Sequence, residues 1–529
     1  RQMEWLAVRP LVKLVLASSL GNVCEWYDFS IFGAFAPEIS DTFFPPSQTE
    51  YTRLLETFVV FGCAFVARPF GGLLFGHVGD RDATGRGRAL RWALATIALP
   101  TLAIGMLPGY ATLGSAAPLL LTLLRLLQGV AVGGQLVGSF TAVSEAAPAG
   151  QSNWYAALVL STSNGGLVLG SAVSAVLRAA LAPGELTSGW WRVAFAASVA
   201  LALPGLVLTQ RLAGAMPRNK LSTQGVCGAP ATSSSSSSHP PPFSSSSKQE
   251  LGLLAKPPPS HAHTTTPQQA PGAAPEHPPA PAVEVLRAHK VSVVSVFLVV
   301  ACWATTYWLL FSWAVTMALE PELAGSVVLD APGITACSLA YLCLALLAVG
   351  AVLDRPGRIG LRRAVPTQAA LLASALAIAI AAPGAFVLMT QGSWGYALAS
   401  CGLATLLAAF GAPLGVLFNL SFPARVRYTG LAIAYNAAQA CFGGTASLVA
   451  TVLCRAAGPM AVGAYVSCVA LLAATSLAVL PPSAEARSGD PDDRAAAECD
   501  AEDQVHAGDI SGSPAPAWQH DGQRLRGSR

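Results

Sequence analysis

From Ala364 to Ala424 the chain carries not one Asp, Glu, Lys, Arg or His. Soluble surfaces are not built that way. About 20 apolar residues cross a bilayer core, so this run holds two crossings, with Gln391-Gly392-Ser393 as the turn between them. Lipid offers no hydrogen-bond partners to the backbone, and the crossings must therefore be helices. The stretches Trp92 to Leu124 and Val291 to Leu319 are equally free of charge. The whole chain is 53% hydrophobic and 11% charged, where soluble proteins carry roughly a quarter charged residues. These features predict an all-α membrane protein embedded in a lipid bilayer.

Neutral runs set against charge clusters predict twelve crossings, centred near residues 24, 66, 100, 127, 166, 202, 305, 342, 376, 407, 441 and 470. Between the sixth and seventh lies a Ser-, Pro-, His- and Thr-rich stretch, including the run Ser233 to Ser238, that cannot bury a core. The expected organisation is a six-helix bundle over 1–217, a disordered cytoplasmic linker over 218–283, a second six-helix bundle over 284–480 and a disordered acidic tail over 481–529. Arginines cluster after the second crossing (Arg81, Arg86, Arg88, Arg91), after the eighth (Arg355, Arg358, Arg362, Arg363) and after the tenth (Arg425, Arg427). Only Arg53, Arg178, Arg192 and Arg455 stand against them, so the positive-inside rule places both termini and the linker in the cytoplasm. The plasma membrane is the expected location, an organelle envelope the alternative.

Several function classes are excluded. A formal charge of +3 gives no compositional support for nucleic-acid binding. All histidines but His77 and His289 lie in low-complexity or terminal stretches, and the cysteines form no CxxC pair, so neither a metal site nor a His-based catalytic constellation is predicted, and no cofactor is implied. No nucleophile motif and no GxxxxGK[ST] loop is present, which points away from an enzyme and towards an ion gradient as the energy source.

Four ionisable residues fall well inside the hydrocarbon region: Glu25 and Asp28 in the first crossing, Arg68 in the second and Arg125 in the fourth. Each costs roughly 2.5 to 3.5 kcal/mol at a helix centre, so they must face a polar interior. The functional reading is a central site in which Arg68 or Arg125 holds a carboxylate and Glu25 or Asp28 carries a coupled proton, with Asp28 preferred because it lies deeper, towards Arg125. When a substrate carboxylate takes the arginine, the neighbouring acid loses its counter-charge and is driven towards protonation. The same charges suit a zwitterion equally. The alternative is a structural ion-pair network that only orients helices. Since the second half has no such charge, its candidate substrate contacts are Tyr307, Trp308, Tyr435, Asn436 and Gln439, beside Tyr27 in the first half. Glycines at four-residue spacing, such as Gly129 with Gly133 and Gly166 with Gly170, are expected to pack helices closely.

An internal repeat ties the halves together. Gly76-His77-Val78-Gly79-Asp80-Arg81, followed by Gly85-Arg86, recurs as Gly350-Ala351-Val352-Leu353-Asp354-Arg355, followed by Gly357-Arg358, each time after the second crossing of its half. This repeated loop resembles the signature of the major facilitator superfamily. Gly21-Asn22-Val23-Cys24-Glu25-Trp26-Tyr27-Asp28-Phe29 resembles the GNxxEWxDF of its metabolite:proton symporter branch, which includes bacterial carriers of proline and betaine, shikimate, citrate and α-ketoglutarate. Arg68-Pro69-Phe70-Gly71-Gly72 resembles the branch's RPxGG. Arg125 through Gln128-Gly129 to Gly133-Gly134 resembles its RxxQGxxxGGE, and Phe422 to Gly430 its stretch before crossing eleven. Gln135 stands where the branch usually has Glu, and the first repeated loop carries about two extra residues.

The resemblance implies a major facilitator fold of 12 transmembrane helices in two six-helix halves. It also implies a cytoplasmic ion-pair gate made by Asp80, Arg81, Arg86 and Glu145 with Asp354, Arg355 and Arg358. The expected function is proton-coupled symport of a small organic acid or zwitterionic metabolite by alternating access, with Glu25, Asp28, Arg68, Arg125 and Gln135 at the substrate and proton site. A facilitative uniporter and a non-transporting nutrient sensor are the alternatives. The expected partners are a small-molecule substrate, the proton and lipid.

Overall fold

The structure, a computed structural model, describes residues 2–81, 85–148, 150–212, 280–319, 328, 330–355 and 366–479. Among the described residues there is no β-strand. The long helices of the first half are α1 (Gln2–Ala34), α2 (Glu50–Arg81), α3 (Gly85–Met106), α4 (Ala116–Ala146), α5 (Ser152–Ala180) and α6 (Arg192–Leu212). Those of the second are α7 (Lys290–Leu319), α8 (Ala331–Asp354), α9 (Thr367–Leu388), α10 (Ser393–Ser421), α11 (Arg427–Ala457) and α12 (Pro459–Val479).

Among the described residues eleven of these helices, α2 to α12, are long and apolar enough to cross a membrane. α1 lies at the position expected for the first crossing. Its Asn22, Glu25 and Asp28 are buried inside the protein, away from lipid. The turn expected at Gln391-Gly392-Ser393 lies between α9 and α10, where Gly392 takes a φ of 94° that only glycine adopts without strain. A short helix, Pro281–Ala288, begins inside the segment assigned to the linker, so the linker's end moves back by a few residues. Its apolar Val285 is fully buried against the second half and holds it there. The rest of the linker and the acidic tail lie outside the described residues.

Within each half, neighbouring helices pack along their length: α1 against α5 and α6, α2 against α4, α9 against α12 and α8 against α10. Between halves, α2 meets α11 and α5 meets α8. A shift of six helices exchanges these two interfaces, as internal repeats related by two-fold symmetry require.

Glycine makes the closest approaches possible. Gly71 and Gly72 are adjacent on α2 and face opposite ways: a Cβ on Gly71 would collide with the Val130 carbonyl of α4, and one on Gly72 would meet the Asn436 amide of α11 at 2.7 Å. Further along, Gly76 meets Thr429 and Gly79 meets Tyr428, so one stripe of α2 lies flush on the other half.

Candidate functional site

All four intramembrane charges are buried, each 1% exposed or less. They form two groups of different character. Asp28 and Arg125 are 2.7 Å apart, and the Asp28 carboxylate also accepts from Thr101 Oγ1 (2.9 Å) and Gln128 Nε2 (2.8 Å). The Arg125 guanidinium lies 4.0 Å over the Phe32 ring and donates a second bond to Gln128 Oε1. Nε and Nη2 of Arg125 have no hydrogen-bond partner within the protein.

Glu25 and Arg68 form the second group. Both carboxylate oxygens of Glu25, and Nε and Nη2 of Arg68, have no hydrogen-bond partner within the protein. The Arg68 guanidinium is seated instead among ring faces, 4.4 Å from Phe65, 5.1 Å from Phe29 and 5.8 Å from Trp26. Phe29 also lies 5.1 Å from the Arg125 guanidinium, so one phenyl ring stands between the two arginines. Buried polar atoms without partners are costly.

Trp26, beside the Arg68 guanidinium, also lines a small cavity between the halves. Trp26, Asn164 and Ser163 of the first half face Trp303, Tyr307, Tyr435 and Gln439 of the second. Tyr307 donates to Asn164 Oδ1 (2.8 Å), and Gln439 donates to the Tyr435 hydroxyl (3.0 Å). Tyr435 lies within electrostatic range of both Arg68 and Glu25, which connects the charges to the cavity wall. The helices α7 and α11 each widen into a π-turn here, at Leu309–Trp313 and Gln439–Gly443, a distortion that recurs at functional sites. Gly443 leaves room for the Trp308 indole, which packs on Trp26 and Phe65 across the interface.

Of the expected substrate contacts, Tyr307, Tyr435 and Gln439 line the cavity and Tyr27, Trp308 and Asn436 do not. Tyr27 donates to the Ala194 carbonyl in a core shared with α6. Asn436 spends its amide on the Gly133 and Ala432 carbonyls, tying α11 to α4. Gln135 packs against Gly21 and reaches Ser139, which in turn donates to Asn22. Trp26, Asn164 and Trp303 were not singled out from the sequence. Trp26 was legible inside the EWxDF stretch, whereas no signal pointed to the other two.

The repeated Asp residues share a helix-capping role. Asp80 at the end of α2 accepts from the Tyr428 and Thr429 backbone N–H groups (3.4 and 2.8 Å), capping the first turn of α11 in the other half. Asp354 at the end of α8 accepts from the Asn153 and Trp154 backbone N–H groups (3.1 and 2.8 Å), capping α5. A carboxylate at a helix N-terminus satisfies orphan donors and complements the helix dipole. Glu145 forms an ion pair with Arg427 at 2.7 Å, again across the halves. Arg427 was absent from the expected gate, although it lies in the Phe422 to Gly430 stretch. Arg355 is exposed, while the side chains of Arg81 and Arg86 and all of Arg358 lie outside the described residues. Replacing Asp354 by alanine should therefore loosen α5 first: its opening amides, at Asn153 and Trp154, are expected to exchange hydrogen about tenfold faster, the loss of a cap worth ~1.4 kcal/mol. Hydrogen–deuterium exchange of the two proteins checks this, and unchanged exchange would remove the capping role.

The sequence matches the Major Facilitator Superfamily over residues 18–446. The chain belongs to that superfamily. It is an integral, multi-pass membrane protein. It is 37% identical over 198 residues to the alpha-ketoglutarate permease of Escherichia coli (strain K12), covering 37% of this chain and 45% of the permease. It is 33% identical over 202 residues to the proline/betaine transporter of Salmonella typhimurium, covering 38% of this chain and 40% of that protein. The chain thus spans less than half the length of these relatives. Among solved structures, the proton:xylose symporter XylE superposes with a TM-score of 0.62 at 16% identity, over 90% of this chain and 97% of XylE. The E. coli fucose:proton symporter superposes with a TM-score of 0.53 at 11% identity, over 89% of this chain and 98% of that one. At such identities the two structures speak for the major facilitator fold alone.

Proposed function

We propose that this protein is a secondary active transporter that carries a small organic acid or zwitterionic metabolite together with a proton, by alternating access. The observation that carries the reading is the pair Arg68 and Glu25, buried beside an inter-half cavity with their hydrogen-bonding atoms unspent. Arg68 offers two N–H groups to a carboxylate, and Glu25 is the acid whose oxygens no protein group holds. The relatives that carry alpha-ketoglutarate and proline or betaine have substrates of these chemical kinds in their names.

The proton is assigned to Glu25 in place of Asp28. Asp28 accepts three hydrogen bonds, and protonation would give up the charge-assisted one from Arg125. Alternating access is supported by where the halves are latched. Asp80, Asp354 and Glu145 bind across the interface at one end, and twelve helical residues, about 18 Å, separate Asp80 from Arg68. The structure thus has the closed end that a carrier open, or opening, towards the other side requires. That end is assigned to the cytoplasm. On the opposite side Arg53 and Arg178 are paired with Asp41 and Glu38, and Arg192 is bound to the Gly105 and Leu107 carbonyls. The excess of Lys and Arg in the sequence lies at the Asp80 end.

Uptake into proteoliposomes tests the reading. With an acidic exterior, substrate is expected to accumulate above its external concentration, and collapsing the pH gradient should leave only equilibration. Accumulation that ignores the gradient would sink proton coupling. Glu25→Gln, which mimics the protonated acid, should retain exchange of substrate across the membrane and lose pH-driven accumulation.

A further inference from the structure

The charges available to a ligand are few enough to count. Arg125 is paired with Asp28, which also accepts from Thr101 and Gln128, and the Phe29 ring lies beside both arginines. The second half has no buried charged residue among those described. Nε and Nη2 of Arg125 also have no partner, but Asp28 opposes the Arg125 charge at 2.7 Å; Arg68 and Glu25, with partnerless atoms of their own, lie behind the cavity-lining Trp26 and Tyr435. Around Glu25 the titratable and charged groups are Cys24 and Asp28 on α1, Arg68 on α2, Arg125 on α4, Tyr307 on α7 and Tyr435 on α11. The neighbouring α3, α5 and α6 bring no buried charge of their own. The cavity wall beyond them is aromatic and amide-bearing: Trp303, Tyr307, Tyr435, Gln439 and Asn164.

Resting on the transport reading above, we propose that the substrate is a monocarboxylate with an uncharged polar body, carried with one proton in an electroneutral cycle. A second carboxylate would have to enter a wall that holds no cation, and burying an unpaired charge is prohibitive. The ammonium of a zwitterion would need Glu25 ionised, which removes the proton from the loaded state. With a monocarboxylate the balance closes. Glu25 takes a proton from the outer solution, Arg68 takes the carboxylate, and the charges entering sum to zero. On release both leave, and the Glu25 carboxylate again stands beside the Arg68 guanidinium. The aromatic and amide wall then selects among uncharged bodies through ring contacts and neutral hydrogen bonds.

The test uses the full chain in proteoliposomes, with a pH dye inside and current recorded on a solid-supported membrane. The probes are lactate and shikimate as monocarboxylates, 2-oxoglutarate as a dicarboxylate and glycine betaine as a zwitterion. At least one monocarboxylate is expected to acidify the interior with no net current, and 2-oxoglutarate and glycine betaine to do neither. In Glu25→Gln, flux of the same monocarboxylate should continue without acidification and should now carry a current of the anion's sign. That current is the decisive readout, because a merely structural role for Glu25 would lower flux without creating charge movement. Acidification by 2-oxoglutarate, acidification with inward current by glycine betaine, or Glu25→Gln flux that remains electroneutral would each overturn the proposal and leave coupled transport standing. Acidification by none of the four would overturn coupled transport and the proposal with it.

Discussion

Arg68→Ala is expected to cut substrate uptake by roughly 30-fold to several thousand-fold while the protein still inserts. The range follows from ~2 to 5 kcal/mol for truncating one partner of a buried charge-assisted contact, at ~1.4 kcal/mol per factor of ten. Insertion should survive because the substitution leaves Glu25 able to become neutral by binding a proton, so no charge is stranded. What is lost structurally is the contact of a guanidinium with Phe65, Phe29 and Trp26, worth ~0.5 to 2 kcal/mol per cation–π pair. Uptake and a monodisperse profile in detergent should therefore separate: the first collapses and the second persists. Arg68→Lys keeps the charge but loses the planar fork, and an intermediate loss is expected. Wild-type uptake by the alanine variant would reduce Arg68 to a packing residue.

Much of this was legible before any coordinates. Charge-free runs fix the crossings, because lipid is intolerant in a way water is not, and eleven of the twelve helices pass on length and apolarity alone. The first helix carries the buried polar residues Asn22, Glu25 and Asp28. The GxxxDR repeat correctly located two equivalent corners of the fold. It could not say that Asp80 and Asp354 cap helices of the opposite half, since a helix N-terminus leaves no charged residue in the sequence to be paired with. The quartet of charges was equally readable as a set and unreadable as pairs. Glu25 and Asp28 share a helix face at three-residue spacing, but which arginine each meets depends on Thr101, Gln128 and Phe29 from three different helices. Asn436 and Tyr27 were drawn towards the substrate by their chemistry alone. A polar side chain at a crowded helix crossing is as readily consumed by a backbone carbonyl, which is where both are found.

The division of the quartet has a second consequence, which separates Asp28 from Glu25 by experiment. Asp28→Asn removes the charge that Arg125 opposes at 2.7 Å, in a site where both are almost fully buried. Breaking one side of a buried pair costs ~3 to 5 kcal/mol, because the partner is left charged and uncompensated. Arg125 cannot escape by neutralising at any accessible pH, as a carboxylic acid can. The single variant is expected to express poorly, to unfold at a markedly lower temperature and to lose exchange as well as accumulation. Asp28→Asn combined with Arg125→Gln removes both charges while keeping hydrogen-bonding amides beside Thr101 and Gln128, and it should recover most of the lost stability, since a buried pair is worth little net against neutral replacements. Thermal unfolding of the three proteins, read as a double-mutant cycle, gives the coupling directly. If Asp28 were the proton carrier, the outcome would reverse: Asp28→Asn alone would mimic its loaded state, fold normally and exchange substrate without a pH gradient. A stable, exchanging Asp28→Asn would therefore move the proton from Glu25 back to Asp28.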